Sequence, residues 1–196
     1  MGTDVSFGTA ALIFVIGTFV NTMGLFYTQH HGLKHFVDKG CTNPRDVGFL
    51  SFTHDPTTKK VLDGPLFILL PTAFMAASTR RVELFRDLLL MFGIVLVIRG
   101  ISISLTQLPH TIEPNRSRSL IDSCLFGGDY DKIFSGHTAF IVISTMLLVK
   151  YGVWPTAMYV LPVVVAFLLV QTRSHYTVDV FLGAVISFLT VTAATK

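Results

Sequence analysis

Two histidines and an aspartate interrupt runs that are otherwise apolar. His137 lies in Phe134-Ser135-Gly136-His137-Thr138, and His175 and Asp179 lie in Ser174-His175-Tyr176-Thr177-Val178-Asp179-Val180. The spacing of four puts His175 and Asp179 on one helical face, within hydrogen-bonding reach. An aspartate so placed fixes the imidazole tautomer and stabilises its protonated form. A second histidine beside such a pair suits displacement at phosphorus, one imidazole attacking and the other protonating the leaving oxygen. Taken singly, a histidine at a membrane boundary is more often an ordinary satisfied polar side chain, so the chemical reading rests on the three together. They could instead ligate a metal, but His-x-x-x-Asp with a separate Ser-Gly-His lacks the His-Glu-x-x-His spacing of a zinc site. No metal and no other cofactor is expected. His30, His31, His35, His54 and His110 fall in loops or at the edges of apolar runs and read as ordinary polar positions.

Arg99 is the other residue that demands an explanation. It sits inside the apolar run from Leu88 to Pro109, where snorkelling to the interface is difficult. It needs an anionic partner, and either a structural ion pair to Asp179 or Asp131 or direct contact with a lipid phosphate would serve. Arg173 and Arg116 could also hold phosphate, although solvated loop charges are the commoner case. A cationic head group would favour an aromatic cage, for which Tyr27, Phe36, Phe126, Tyr130, Phe134 and Tyr176 are available.

The elements that must position these residues are read from the uncharged runs. Of 196 residues, 51% are hydrophobic and 14% charged, and the mean hydropathy is +0.62. Soluble domains carry about 25% charged residues, so the composition points to a multi-span membrane protein. At about 20 residues per span, the uncharged runs predict six helices, near 5–27, 64–79, 88–109, 133–149, 151–172 and 176–195. The expected fold is an all-α integral membrane bundle of six transmembrane helices, one domain over residues 1–196. The opening run has no Lys or Arg before it and no small-residue cleavage site, so it reads as a retained span rather than a signal peptide.

Two long polar stretches, Thr28 to Asp63 and His110 to Lys132, open at the same end of this bundle as the turn around Arg173, and both key histidines fall at that end. That end carries nine Lys and Arg against five at the other, so a count of positive charge places it in the cytoplasm. The cluster Arg80, Arg81 and Arg86 pulls the other way. A formal net charge of +3, scattered along the chain, argues against nucleic acid as a partner. Cys41 and Cys124 read as two ordinary thiols, and the oligomeric state is not legible.

Three ordered segments resemble motifs of the sphingomyelin synthase family: Arg99 through Thr106-Gln-Leu-Pro109, then Asp131-Lys-Ile-Phe-Ser135-Gly136-His137-Thr138, then His175-Tyr176-Thr177-Val178-Asp179-Val180. The resemblance implies a transferase that moves phosphocholine or phosphoethanolamine from a phospholipid donor to ceramide or a diacylglycerol-type lipid alcohol. It implies that His175 is the nucleophile, that Asp179 orients it, and that His137 is the acid and base. Asp131 would complete the polar site, with Ser135, Arg99, Arg173 and Tyr176 at the substrate. It also implies an endomembrane (Golgi) or plasma-membrane enzyme, if the source is eukaryotic, with a lumenal site, opposite to the charge count.

Departures from the family pattern bear on substrate more than on reaction. The Cys-Gly pair expected before the aspartate is missing, since Asp129-Tyr130 precede Asp131, and the Pro-rich motif before the second span is reduced to Asp63-Gly-Pro-Leu. Two other classes compete: a lipid phosphatase or phospholipase C-like hydrolase using the same residues, and a structural or scramblase-like protein. Related phosphatases use Lys-x6-Arg-Pro, Pro-Ser-Gly-His and Ser-Arg-x5-His-x3-Asp. Here Phe134 stands in place of the Pro, Arg173 is two residues before His175, and Gly100 follows Arg99. These differences favour the synthase-like pattern, and the clustering of His137, His175 and Asp179 disfavours a non-catalytic protein.

Overall fold

The computed structural model describes residues 4–32, 46, 82–106, 108–109, 130 and 132–194. Among them are five α-helices and no strand: α1 (Phe7–Gly32), α2 (Val82–Leu105), α3 (Gly136–Lys150), α4 (Val160–Gln171) and α5 (Thr177–Ala194). A single 3₁₀ turn, Thr156–Tyr159, leads directly into α4. Helices α1, α2 and α5 are each long and apolar enough to cross a membrane, while α3 and the run Thr156–Gln171 are shorter apolar helices. Among the described residues the protein is thus all-helical, with helices suited to a membrane, and the expected spans near 5–27, 88–109 and 176–195 coincide with the three long helices. The expected span 64–79 lies outside the described residues, as do Cys41 and Cys124.

Local chemistry accounts for the boundaries. Ser6 Oγ accepts from the backbone N–H of Thr9 at 3.1 Å and opens α1, as a serine at a helix start should. Helix α2 begins six residues before the expected span, at Val82, because Glu83, Arg86 and Asp87 form its first turns. Glu83 and Arg86 sit at a helix end, where water or headgroups are within reach, while Asp87 is buried against Arg86 and Tyr151. The expected span 151–172 begins later than its apolar run, because Tyr151–Pro155 form a turn. Gly152 supplies the left-handed φ of +67°, and Pro155, which has no N–H and a fixed φ, suits the entry to a helix rather than its interior.

Helices α1 and α2 run parallel and approach closely, through Gly17 against Gly93 and Gly24 against Gly100. Both pairs are one heptad apart, which keeps them on one seam. A Cβ added at Gly93 would lie 2.7 Å from the carbonyl carbon of Ile13, and one at Gly100 would lie 2.6 Å from the Val20 carbonyl oxygen. The opposite face of α1 presents Leu12, Val15 and Phe19, each more than half exposed, as suits a lipid-facing surface. Gly93→Ala is expected to destabilise the bundle by about 1–3 kcal/mol, the usual cost of overpacking. Gly8→Ala should not, because its Cβ would meet only Ser6 Oγ, at 3.9 Å. Thermal unfolding in detergent checks both, and equal midpoints for the two variants would contradict the seam.

Helix α3 runs antiparallel to α2, and polar contacts hold the pair at both ends. At one end Asp87, fully buried, accepts from Tyr151 Oη at 2.7 Å and from Arg86 Nη2 at 2.9 Å. At the other end Arg99 holds the segment preceding α3. Between the two lies a core of Leu84, Met91, Val95, Ile143, Leu147 and Val191. A second cluster, Ile141, Val165, Leu169, Val170 and Val180, seats α4 on α3 and α5. The C-termini of α1, α2 and α4 and the N-termini of α3 and α5 therefore meet at one end of the bundle.

Candidate active site

At that end the segment Phe134 to Thr138 meets the turn between α4 and α5. Ser135 is the N-cap of α3, and its Oγ accepts from the Thr138 N–H at 3.2 Å. The Ser135 N–H donates to the Asp179 carbonyl at 3.0 Å, which joins the two helix starts. Gly183 permits this approach: a Cβ there would lie 2.8 Å from the Ser135 carbonyl oxygen and 3.3 Å from Thr138 Cβ. Helix N-termini carry partial positive charge and orphan N–H groups, so two of them at one place suit an anionic group such as a phosphate.

The crossing brings His137 and His175 together, with ring centroids 5.8 Å apart and ring planes inclined at 64°. His175 is 5% exposed and Asp179 fully buried. His175 Nδ1 lies 3.6 Å from Asp179 Oδ2, and the same oxygen accepts from the Tyr176 N–H at 3.0 Å. One carboxylate thus satisfies the backbone at the start of α5 and faces the imidazole. The distance to Nδ1 exceeds that of a formed hydrogen bond, and such contacts commonly tighten only when substrate is bound.

The other expected site residues divide by what they touch. Arg99, 6% exposed, donates from Nε to the Phe134 carbonyl at 3.0 Å and from Nη1 to Asn21 Oδ1 at 2.7 Å. Tyr176 is buried, and its hydroxyl donates to the Pro109 carbonyl at 3.2 Å, tying α5 to the chain beyond α2. Arg173 is partly exposed and occupies the left-handed region with φ +54°, where its N–H closes the turn onto the Val170 carbonyl at 3.0 Å. Of the aromatic set, Tyr130 and Phe134 are fully buried and Tyr27 is exposed beside His31, with centroids 4.4 Å apart. Asp131, Arg116, Phe36 and Phe126 lie outside the described residues. Among the described residues no group of three or more His, Cys, Asp or Glu is placed to hold a metal ion.

Three residues at this end were not singled out from the sequence. Lys132, 8% exposed, donates from Nζ to the Ser174 carbonyl at 2.9 Å, beside His175. Asp46 accepts from the Thr177 N–H at 2.8 Å and from its hydroxyl at 2.6 Å, capping α5 from a distant part of the chain. Asn21 reaches Arg99 from α1. Only Asn21 left a sequence signal, as the one amide side chain in the run from Val5 to Tyr27. Lys132 and Asp46 sit in polar stretches where a charge excites no suspicion.

Residues 128–196 match the family described as PAP2 superfamily C-terminal. The C-terminal third of the chain is similar to the PAP2 superfamily. Comparison with curated proteins gives no match. The PAP2-like region contains His137, His175 and Asp179 together with Ser135, Arg173 and Tyr176. Arg99 and Asn21 lie outside it, so the helices that reach this site from the N-terminal part of the chain are not covered by the similarity.

Proposed function

We propose that the protein is a lipid phosphotransferase that passes a phosphorylated head group from a glycerophospholipid to a lipid alcohol, with ceramide or a diacylglycerol-type lipid as acceptor. The observation that carries this reading is the pairing of two imidazoles 5.8 Å apart with a buried carboxylate behind one of them. Similarity of residues 128–196 to the PAP2 superfamily supports chemistry on lipid phosphates, and the resemblance to sphingomyelin synthases supports transfer to a second lipid.

In this reading His175, with Nδ1 turned to Asp179, attacks phosphorus through Nε2. A P–N bond forms, the P–O bond to the diacylglycerol breaks, and the departing oxygen takes a proton from His137. In the second half His137 removes the proton of the acceptor hydroxyl, whose oxygen attacks phosphorus. The P–N bond breaks, and both histidines return to their starting states. The helix starts of α3 and α5 stabilise the charge that builds on the phosphoryl oxygens. Arg99 and Arg173 add positive charge at the same end, Ser135 and Tyr176 complete the site, and the resemblance adds Asp131. For a eukaryotic source, the same resemblance points to an endomembrane (Golgi) or plasma-membrane location.

Head-group transfer is tested with purified protein in detergent, labelled phosphatidylcholine or phosphatidylethanolamine, and ceramide present or absent. The expected result is a labelled sphingolipid that forms only when ceramide is added. Release of free phosphocholine or phosphoethanolamine at the same rate without ceramide would instead identify a hydrolase.

A further inference from the structure

Arg99 is a charge held between helices, and its partners decide what it can do. Its Nε lies 3.0 Å from the Phe134 carbonyl, and a Cβ built at Gly136 would stand 3.2 Å from the same nitrogen. The guanidinium therefore supports Phe134 and Gly136, two of the three residues before His137. Its other end is held by Asn21 Oδ1 at 2.7 Å. A guanidinium has only donors, so the amide must turn its oxygen to it.

Asn21 can do this because α1 is fixed against α2 at that level. Gly17 with Gly93 and Gly24 with Gly100 bracket the contact, and a Cβ at Gly100 would lie 2.8 Å from Asn21 Cα. Thr18, by contrast, turns its hydroxyl to its own helix and donates to the Phe14 carbonyl at 2.9 Å. An amide in an apolar span carries a cost that a partner on another helix offsets. Asn21 lies more than a hundred residues before the PAP2-like region.

We propose that Asn21 is a positioning residue for His137, acting through Arg99. Asn21 fixes the guanidinium, the guanidinium fixes the Phe134 carbonyl and the backbone beneath Gly136, and these set where His137 meets the substrate oxygen. The catalytic part of this proposal rests on the reading of His137 as acid and base. Small misplacements of an acid and base cost rate rather than affinity.

The test compares Asn21→Ala, Asn21→Gln and Asn21→Asp with the wild type in detergent, using dioctanoyl phosphatidylcholine and a short-chain ceramide. Asn21→Ala is expected to lower kcat by about tenfold and leave KM within about twofold. Asn21→Asp keeps an acceptor oxygen at the same reach and should restore the rate. Asn21→Gln moves that oxygen by one methylene and should not. Thr18→Ala, which loses only a bond within α1, should match the wild type. If Asn21→Ala does not fold, the contrast between Asp and Gln decides, because both keep a polar end. The rate of hydrogen–deuterium exchange at C2 of His137, read by mass spectrometry against pH, reports the same positioning without turnover. It should change in the Ala and Gln variants and return in Asp, while His30 and His31 stay constant. A wild-type protein inert towards these lipids would overturn the functional reading, and the exchange would still judge Asn21. Wild-type kcat and His137 exchange in Asn21→Ala, or equal behaviour of Asp and Gln, would overturn the proposal.

Discussion

His175→Ala is expected to reduce head-group transfer by more than about a thousandfold, because it removes the atom that bonds to phosphorus rather than one that assists it. The fold should survive the change. His175 stands in the turn before α5, and the helix start is held by other groups: the Tyr176 N–H on Asp179, and Thr177 on Asp46. A loss of activity without a large fall in unfolding temperature is therefore the expected signature. Incubation with head-group-labelled donor alone should also trap label on the wild-type protein. Phosphohistidine is labile to acid and stable to base, and the label should be absent from His175→Ala. His137→Ala should likewise fall steeply in rate, since the leaving oxygen would depart without a proton donor. A His175→Ala protein that still accepts label, or turns over within tenfold of wild type, would move the nucleophile elsewhere.

Asp179→Asn carries the second large effect, and it separates the two duties of one carboxylate. The Asn side-chain oxygen can still accept from the Tyr176 N–H, so the start of α5 should keep its bond and the unfolding temperature should change little. Held there, that oxygen is also the one that faces His175 Nδ1, so the tautomer is kept while the negative charge that stabilises a positively charged imidazole is lost. A loss in kcat of about 10- to 100-fold follows, the worth of a hydrogen bond to a charged group. Asp179→Ala should lose the rate and also about 1 kcal/mol of stability, the usual worth of a helix-start bond. Measured kcat and thermal unfolding for the two variants check this together. Near-wild-type kcat in Asp179→Asn would show that the 3.6 Å approach to His175 has no catalytic consequence.

The site was legible in the sequence to the extent that its chemistry is local. His175 and Asp179 are four residues apart on one helix, and helical geometry alone places them together. Ser135, which the expected span 133–149 placed inside the helix, instead caps α3 at its start. His137 beside His175 was an expectation from the topology of spans, and the crossing of α3 with α5 at Gly183 brings the rings within 5.8 Å. Arg99 was legible as a charge needing a partner. Which partner was not, because an arginine side chain reaches far enough to choose among several groups. A buried carbonyl, that of Phe134, and the amide Asn21 on another span leave no mark in the pattern of charges.

Scarcity of charge determined, by itself, that this chain is committed to a membrane, because each charge in hydrocarbon costs several kcal/mol and only apolar helices spare it. The same scarcity marked His137, His175, Asp179 and Arg99 as the residues to question. The tertiary structure decided how they are held. Helix starts are joined by Ser135 to the Asp179 carbonyl, α2 and α3 are clasped at Asp87 and Arg99, and α1 is brought by glycines to within reach of Arg99. Contacts of this kind depend on which helix faces which and at what depth. Interhelical packing sets both, and its determinants are small residues and single amides whose meaning appears only when their neighbours are in place.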